Sequence, residues 1–109
     1  MLRVIGTGRL GHDPEIREVQ GGKKVTEFSF YQLNGREGEP PVTAVAWGKN
    51  AETICKYCKA GDTLAINAHI STKKYTTQSG EQRQSFELWI DTFEFIGKAK
   101  PKQEEALPF

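Results

Sequence analysis

Short segments in which apolar and polar residues alternate make up most of the first 97 residues of this chain. Residues 86–91, Phe-Glu-Leu-Trp-Ile-Asp, and residues 15–19, Glu-Ile-Arg-Glu-Val, both follow this pattern. Because successive side chains of a strand point to opposite faces of a sheet, such alternation indicates strands with one buried face. Turn residues separate the segments, among them the Gly21 and Gly22 pair and the polar stretch 34–40. The sequence therefore predicts a mainly β domain.

The order of the predicted elements favours one β architecture. A short helix is predicted from Asn50, a residue suited to the N-cap, through Cys58, and Gly61 ends it. The predicted strands cover residues 2–10, 15–19, 24–33, 42–47 and 64–70, then a hairpin arm over 71–83 that turns at 78–80, and a closing strand over 86–96. Three main strands, one helix and two more strands is the order of an OB-fold, a five-stranded Greek-key barrel. We assign residues 1–97 to this all-β domain with one short helix.

Charge and composition limit the kinds of partner. The net charge is only +1, and over residues 1–97 basic and acidic side chains are equal in number. A site for a polyanion must therefore come from local clustering of cations. No segment approaches the roughly 20 apolar residues of a membrane span. The first residues also lack the apolar core of a signal peptide, so we expect a cytoplasmic protein with no membrane partner.

Gly6, Gly8 and Gly11 form a G-x-G-x-x-G pattern directly after a short strand. A dinucleotide site needs a helix to begin there, so that the helix N-terminus faces the pyrophosphate. Here a His-Asp-Pro turn at 12–14 and another alternating segment follow instead. We interpret the glycines as adaptations of a strongly bent barrel strand, and we expect no cofactor.

Cys55 and Cys58 form a single C-x-x-C motif in the second half of the predicted helix. A zinc site would need two further ligands, but the only histidines, His12 and His69, do not form a ligand pair. A thioredoxin-like motif should stand at the start of a helix rather than near its end. The motif is therefore read as structural, with no metal expected. A redox or zinc module remains an alternative that metal content and thiol potential would test.

Aromatic and basic residues are interleaved at positions that should share one face of the barrel. Aromatic rings stack on bases of any identity, and lysine and arginine side chains contact phosphates. Trp47 ends the third main strand, and Tyr75 stands in a polar run unsuited to burial. Trp89 is expected to lie away from this track, because it belongs to the closing strand. The candidate residues for binding nucleic acid are Arg3, Arg9, Arg36, Trp47, Lys49, Lys73, Lys74 and Tyr75.

Several short motifs, in this order and spacing, resemble the bacterial-type single-stranded DNA-binding proteins. They cover residues 8–17 (Gly-Arg-Leu-Gly-His-Asp-Pro-Glu-Ile-Arg), 46–52 (Ala-Trp-Gly-Lys-Asn-Ala-Glu), 57–62, 71–80 and 107–109 (Leu-Pro-Phe). The resemblance implies an OB-fold subunit that assembles as a homotetramer and wraps single-stranded DNA. It also implies base stacking by Trp47 and Tyr75, and phosphate contacts from Arg3, Lys49, Lys73 and Lys74. The chain departs from well-known members at Arg36 and Pro41, where these often have tryptophan, and in its very short linker.

Residues 98–109 form a polar, proline-containing tail that ends in an acidic and apolar tip. Such a tail cannot bury enough apolar surface to order itself, so we expect it to be flexible. An aromatic ring beside carboxylates suits a pocket with a basic rim on another protein. The predicted docking tip consists of Glu104, Glu105, Ala106, Leu107, Pro108 and Phe109.

Together these features predict a non-enzymatic protein that coats single-stranded DNA in replication, recombination and repair. No nucleophile–base pair, metal cluster or phosphate loop is recognisable in the sequence. The tip is expected to recruit replication, recombination and repair proteins. Alternatives are an OB-fold replication or primosome accessory protein that acts mainly through protein contacts, and a protein that coats RNA, because stacking scarcely distinguishes the two nucleic acids.

Overall fold

The computed structural model describes residues 2–33, 35 and 38–98 of the chain. Its elements are β1 (Arg3–Leu10), β2 (Arg17–Val19), β3 (Lys23–Gln32), β4 (Val42–Trp47), α1 (Lys49–Tyr57), β5 (Thr63–Thr76) and β6 (Gln82–Gly97). The hairpin arm is not a separate element, because β5 runs from the barrel through residue 76 without interruption. Arg36, most of the tail and the whole tip lie outside the described residues.

Five strands close into a ring in the order β1, β5, β6, β4, β3, with β3 returning to β1, and the short β2 adds to β3. All pairings are antiparallel except β4 with β6, which is parallel and joins Thr43 to Glu87 and Val45 to Trp89. A closed ring of this order with one short helix is the OB-fold, so the predicted fold class is confirmed.

The ring closes where β1 pairs with β3 at Gly8, Arg9 and Leu10. A Cβ atom on Gly8 would lie 2.5 Å from the carbonyl oxygen of Tyr31, closer than van der Waals contact allows. Gly11 is similarly crowded by the Tyr31 ring. The backbones can therefore approach only because glycine has no side chain. Gly8 and Gly11 of the G-x-G-x-x-G pattern therefore serve the closure of the barrel, whereas a Cβ atom on Gly6 would meet open space. The element that follows the pattern is strand β2, not a helix.

The barrel interior holds the hydrophobic core, with Phe28 and Phe30 packed edge-on at a centroid distance of 6.3 Å. Helix α1 covers one end of the barrel with the fully buried Ala51 and Ile54. Buried apolar side chains of this size supply most of the free energy that stabilises a small domain. In β4 the alternation is less strict than expected, because Val45 is buried as well as Ala44 and Ala46.

The predicted N-cap of the helix was wrong by two residues. Gly48, with φ of 60°, occupies the N-cap position, and α1 begins at Lys49. Asn50 does not cap the helix, because its side-chain amide donates to the backbone carbonyl of Asp91 at 3.1 Å. A tertiary hydrogen bond thus replaces the local one that the residue type favours. The helix ends at Tyr57, and the extended Cys58 follows as its C-cap.

Candidate nucleic-acid interface

Trp47 and Trp89 lie side by side on the outer face of the barrel, with ring centroids 5.4 Å apart. The parallel pairing of β4 with β6 brings this about: Val45 is the partner of Trp89, and Trp47 is two residues further along the same face. The expectation that Trp89 lies away from the candidate track was therefore wrong. Reading each strand alone could not reveal this contact, because it depends on the register between two distant strands.

The polar edges of both indole rings are turned away from solvent. The Nε1 of Trp89 donates a hydrogen bond to a carboxylate oxygen of Glu87 at 3.1 Å. The Nε1 of Trp47 is buried and has no hydrogen-bond partner within the described part of the chain. The two rings can therefore contact a ligand only through their carbon atoms, not by hydrogen bonding. Stacking of this kind does not discriminate one base from another.

A cleft of about 820 Å³ borders the two rings. It is lined by residues of the β2–β3 turn, the end of β4, the start of α1 and β6, namely Gly22, Lys23, Lys24, Trp47, Gly48, Lys49, Glu52 and Trp89. The Nζ of Lys24 contacts a carboxylate oxygen of Glu52 at 2.8 Å. This hydrogen bond and the opposite charges raise the pKa of Lys24 and lower the pKa of Glu52.

Alternate residues of the hairpin arm continue the face that carries the tryptophans. The β5–β6 register pairs His69 with Trp89, Ser71 with Glu87, Lys73 with Ser85 and Tyr75 with Arg83. Because side chains on one face recur every second residue, Lys73 and Tyr75 share a face with Trp89, whereas Lys74 is on the opposite face of the arm. Tyr75 is 49% exposed. The sequence had placed Lys73 and Lys74 in one group, and the register separates them.

Glu87 connects the arm to the tryptophan pair. One carboxylate oxygen accepts from Trp89, and the other contacts the Nζ of Lys73 at 3.1 Å. On the far side of Trp89, the ring of His69 lies 6.0 Å away and its Nδ1 contacts Asp91 at 3.0 Å. A single run of contacts therefore extends from the arm across the outer face of the barrel.

The remaining candidate cations are distributed unevenly. Lys49 lines the cleft beside Trp47. The outer face that carries Trp47 and Trp89 is called the tryptophan face below. Arg3 is paired in register with His69 and contacts Asp91 at 3.5 Å, which places it at the edge of this face. Arg9 is opposite Thr63, at the other end of β5, roughly 30 Å along the strand from Lys73. The structure thus brings five candidates together on or beside one face, Arg3, Trp47, Lys49, Lys73 and Tyr75. Arg9 is remote from it, Lys74 is on the opposite face of the arm, and Arg36 lies outside the described residues.

Sequence reasoning missed several members of this face, namely Lys23, Lys24, His69, Arg83, Glu87 and Trp89. A signal was present, because an OB-fold places its third and fifth barrel strands side by side. Applying that pairing to the predicted strands would have put Trp89 next to the strand that ends in Trp47. The contributions of Lys23 and Lys24 depend on how the β2–β3 turn folds against α1, which alternation alone does not determine.

Of the C-x-x-C motif, Cys58 belongs to the barrel core and Cys55 is half-buried. Cys58 is 1% exposed and is part of the hydrophobic core. Burial, with smaller contributions from Asp62 and Cys55, raises the pKa of the Cys58 thiol to about 11. A reactive cysteine requires the opposite shift, towards thiolate. Among the described residues, no group of three or more His, Cys, Asp or Glu side chains could hold a metal ion. No helix within the described ranges is long and apolar enough to cross a membrane.

Comparison with known proteins identifies relatives of this barrel. A protein from Clostridium perfringens (strain 13 / Type A), named single-stranded DNA-binding protein, is 34% identical over 100 residues, which are 88% of this chain and 66% of the relative. A protein of the same name from Clostridium tetani (strain Massachusetts / E88) is 31% identical over 88% of this chain and 70% of its own length. The Lactococcus lactis single-stranded DNA-binding protein 1 is 29% identical over 94% and 72% of the two chains.

The chain thus spans about two thirds of the length of these relatives. The sequence model of the single-strand binding protein family matches residues 1–96, which include the whole barrel and the tryptophan face. The resemblance inferred from the short motifs is confirmed. The chain belongs to the single-strand binding protein family.

Proposed function

We propose that this protein binds single-stranded DNA without sequence preference and acts as a binding protein rather than an enzyme. The observation that carries the proposal is the continuous outer face formed by Tyr75, Lys73, Glu87, Trp89 and Trp47. It combines aromatic rings with cations at both ends, and the indole N–H groups of Trp47 and Trp89 are turned away from solvent. The names of the relatives support the same ligand.

Two kinds of contact supply the affinity in this proposal. Bases stack on Trp47 and Tyr75, which leaves the identity of the base unread. Phosphates are contacted by cations on or beside the face, and each contact releases counterions from the strand. The proposed cations are Arg3, Arg9, Arg36, Lys49, Lys73 and Lys74. Arg9 and Lys74 are the weakest members, because Arg9 is remote from the tryptophan face in register and Lys74 is on the opposite face of the arm. Arg36 is proposed from its sequence position alone.

The proposed cellular role is the coating of single strands during replication, recombination and repair in the bacterial cytoplasm. We propose a homotetramer as the working unit. Its support is the exposure of apolar side chains on and beside β1, where Leu2 is 71% and Ile5 84% exposed. Burying these side chains between subunits would remove apolar surface from water.

Titration with poly-dT tests the binding proposal. The protein should quench its tryptophan fluorescence on binding dT, dA or mixed single strands with similar affinity, and should bind duplex DNA of the same length much more weakly. Light scattering on the same sample gives the subunit number. Binding confined to duplex DNA, or no binding at low salt, would contradict the proposal. A clear preference for poly-U over poly-dT would assign the face to RNA.

The acidic and apolar tip, residues 104–109, is proposed to recruit partner proteins involved in replication, recombination and repair. Deleting residues 106–109 should abolish recovery of these proteins in pull-downs. DNA affinity should stay equal or rise slightly, since the negative charges of the tip compete with DNA for the cationic face. Equal recovery with intact and truncated protein would rule out docking. A large loss of DNA affinity would show that the tip belongs to the binding domain.

A further inference from the structure

We propose that Trp89 is a second base-stacking residue, and that Trp47, Trp89, Lys23 and Lys49 together bind one nucleotide unit of the strand. This inference rests on the proposed function and adds a site within it. Trp89 and Lys23 were not among the residues expected to contact DNA. The cleft volume of about 820 Å³ is within the range of roughly 300–1,000 Å³ typical of small-ligand sites.

The geometry of the ring pair determines how a base can bind. The planes of Trp47 and Trp89 are tilted by 51°, and the centroids are 5.4 Å apart. These values are within the range in which aromatic rings pack favourably on each other. No gap is therefore left for a base between them. The two rings instead present one joined apolar surface, and the base stacks against its solvent side, next to the cleft.

Trp89 is held in place on several sides. Its Nε1 is fixed by Glu87, whose side chain is 11% exposed, and its ring is flanked by Trp47 and His69. His69 is in turn held by Asp91. A ring that is already ordered loses little conformational freedom when a ligand binds, so more of the stacking energy appears as affinity. Glu87 acts here as a positioning residue, not as a ligand.

The charges around the cleft suit a phosphate rather than a neutral ligand. Three lysines and one glutamate line it, and Glu52 is engaged by Lys24. Lys23 and Lys49 both line the cleft and form no ion pair within 4 Å of another described residue. The charge of Lys49 contributes, less than that of Lys24, to the lowered pKa of Glu52, so it is only partly offset. A base on the joined ring surface would therefore have its phosphate next to two ammonium groups that no ion pair engages. This complementarity selects a nucleotide unit as the occupant.

Single-tryptophan variants test the stacking role directly, because Trp47 and Trp89 are the only tryptophans in the chain. In Trp47→Phe all tryptophan emission comes from Trp89, and in Trp89→Phe it comes from Trp47. Each variant is titrated with a fluorescein-labelled dT oligonucleotide, so that binding is measured by anisotropy independently of quenching. We expect DNA to quench the emission of both variants. Unchanged Trp89 emission in Trp47→Phe, at saturating anisotropy, would overturn the inference.

Affinity provides the second measurement. Trp89→Ala should weaken binding at least about fivefold, which corresponds to the lower end of the energy of one stacked base. The matched control is Tyr57→Ala, which removes an exposed ring at the far end of α1 and should leave affinity unchanged. Trp89→Leu keeps the apolar volume if the alanine variant folds poorly, and it should lose affinity as well. Wild-type affinity in a folded Trp89→Leu protein would contradict the stacking role.

The lysines are tested by the salt dependence of binding. Lys23→Gln and Lys49→Gln should each reduce the magnitude of the slope of log K against log salt by up to about 0.7, the value for one phosphate on a single strand. Lys56→Gln is the matched control, because Lys56 is on the same helix as Lys49, about 10 Å further along. Equal slopes for the Lys49 and Lys56 variants would contradict a phosphate site in the cleft. If the wild-type protein itself gives no anisotropy change, the proposed function fails, and not only this inference.

Discussion

The tryptophan cleft and the hairpin arm carry the same kinds of side chain but hold them differently. In the cleft, two rings pack on each other and on His69, and one of them is hydrogen-bonded to Glu87. In the arm, Tyr75 is half exposed on a two-stranded ribbon that extends beyond the barrel. A two-stranded hairpin is marginally stable by itself, so the arm depends on the barrel for its order.

This difference suggests a division of labour within one continuous face. Preordered rings lose little entropy on binding, and they should supply most of the affinity. An exposed ring and lysines on a projecting ribbon lose more entropy on binding, but they extend the surface that a DNA strand can follow. Glu87 joins the two regions, because its carboxylate contacts both Trp89 and Lys73. The following experiments test whether barrel and arm differ in this way.

The largest expected difference concerns folding stability. Phe28→Ala removes a fully buried ring from the barrel core and should lower the free energy of unfolding by about 3–5 kcal/mol. Tyr75→Ala on the arm should change it by less than about 0.5 kcal/mol, as for other exposed positions. Urea denaturation followed by circular dichroism measures both. A comparable loss in the two variants would show that the arm is part of the cooperative core.

Most of this barrel was predictable from sequence because its strands alternate clearly and its turns contain glycine. The turn at 78–80 is confirmed by the positive φ of Gly80 and by the hydrogen bond between Thr77 and Glu81. The start of α1 was not predictable, because Asn50 bonds to β6 rather than to its own helix. At such positions a tertiary hydrogen bond determines the conformation of the side chain, rather than the local capping preference of the residue type.

The binding face was predictable only in part, for a related reason. Trp47, Lys73 and Tyr75 could be selected by residue type, and alternation alone could have separated Lys74 from them. The contact between Trp47 and Trp89 is a property of the β4–β6 register, and neither strand contains that information. The carboxylate of Glu87, placed among cations and rings, would have been excluded from a polyanion site on charge alone.

The second expected difference concerns DNA affinity. Trp47→Ala should weaken binding of single strands by about 2–3 kcal/mol, and Tyr75→Ala by about 1 kcal/mol, the two ends of the range for one stacked base. The larger value is assigned to the ring that is already ordered. Both losses should be similar for dT and dA strands. Anisotropy titrations measure them, and a larger loss for Tyr75→Ala would reverse the proposed division of labour.

A third experiment compares carboxylates that oppose cationic side chains in the two regions. In the cleft Glu52 engages Lys24, and its Oε1 lies 2.8 Å from Nζ. Glu52→Gln should free that ammonium group for a phosphate and make the salt slope steeper by up to about 0.7. Glu81→Gln is the matching variant on the arm, because Glu81 engages Arg83, the register partner of Tyr75. It should also make the slope steeper if the DNA strand follows the arm. An unchanged salt slope in Glu52→Gln would mean that the bound DNA strand does not reach Lys24.

The smallest expected effect separates the two faces of the arm. Lys73 shares the face of Tyr75, although Glu87 already opposes its charge, and Lys74 is on the other face. Lys73→Gln should therefore flatten the salt slope by less than about 0.7, and Lys74→Gln should hardly change it. The double variant should behave as Lys73→Gln does, because the two side chains would act independently. If Lys74→Gln produces the larger change in slope, the bound DNA strand runs along the opposite face of the arm. The path across Glu87 to the tryptophan cleft would then be wrong, even with the cleft itself intact.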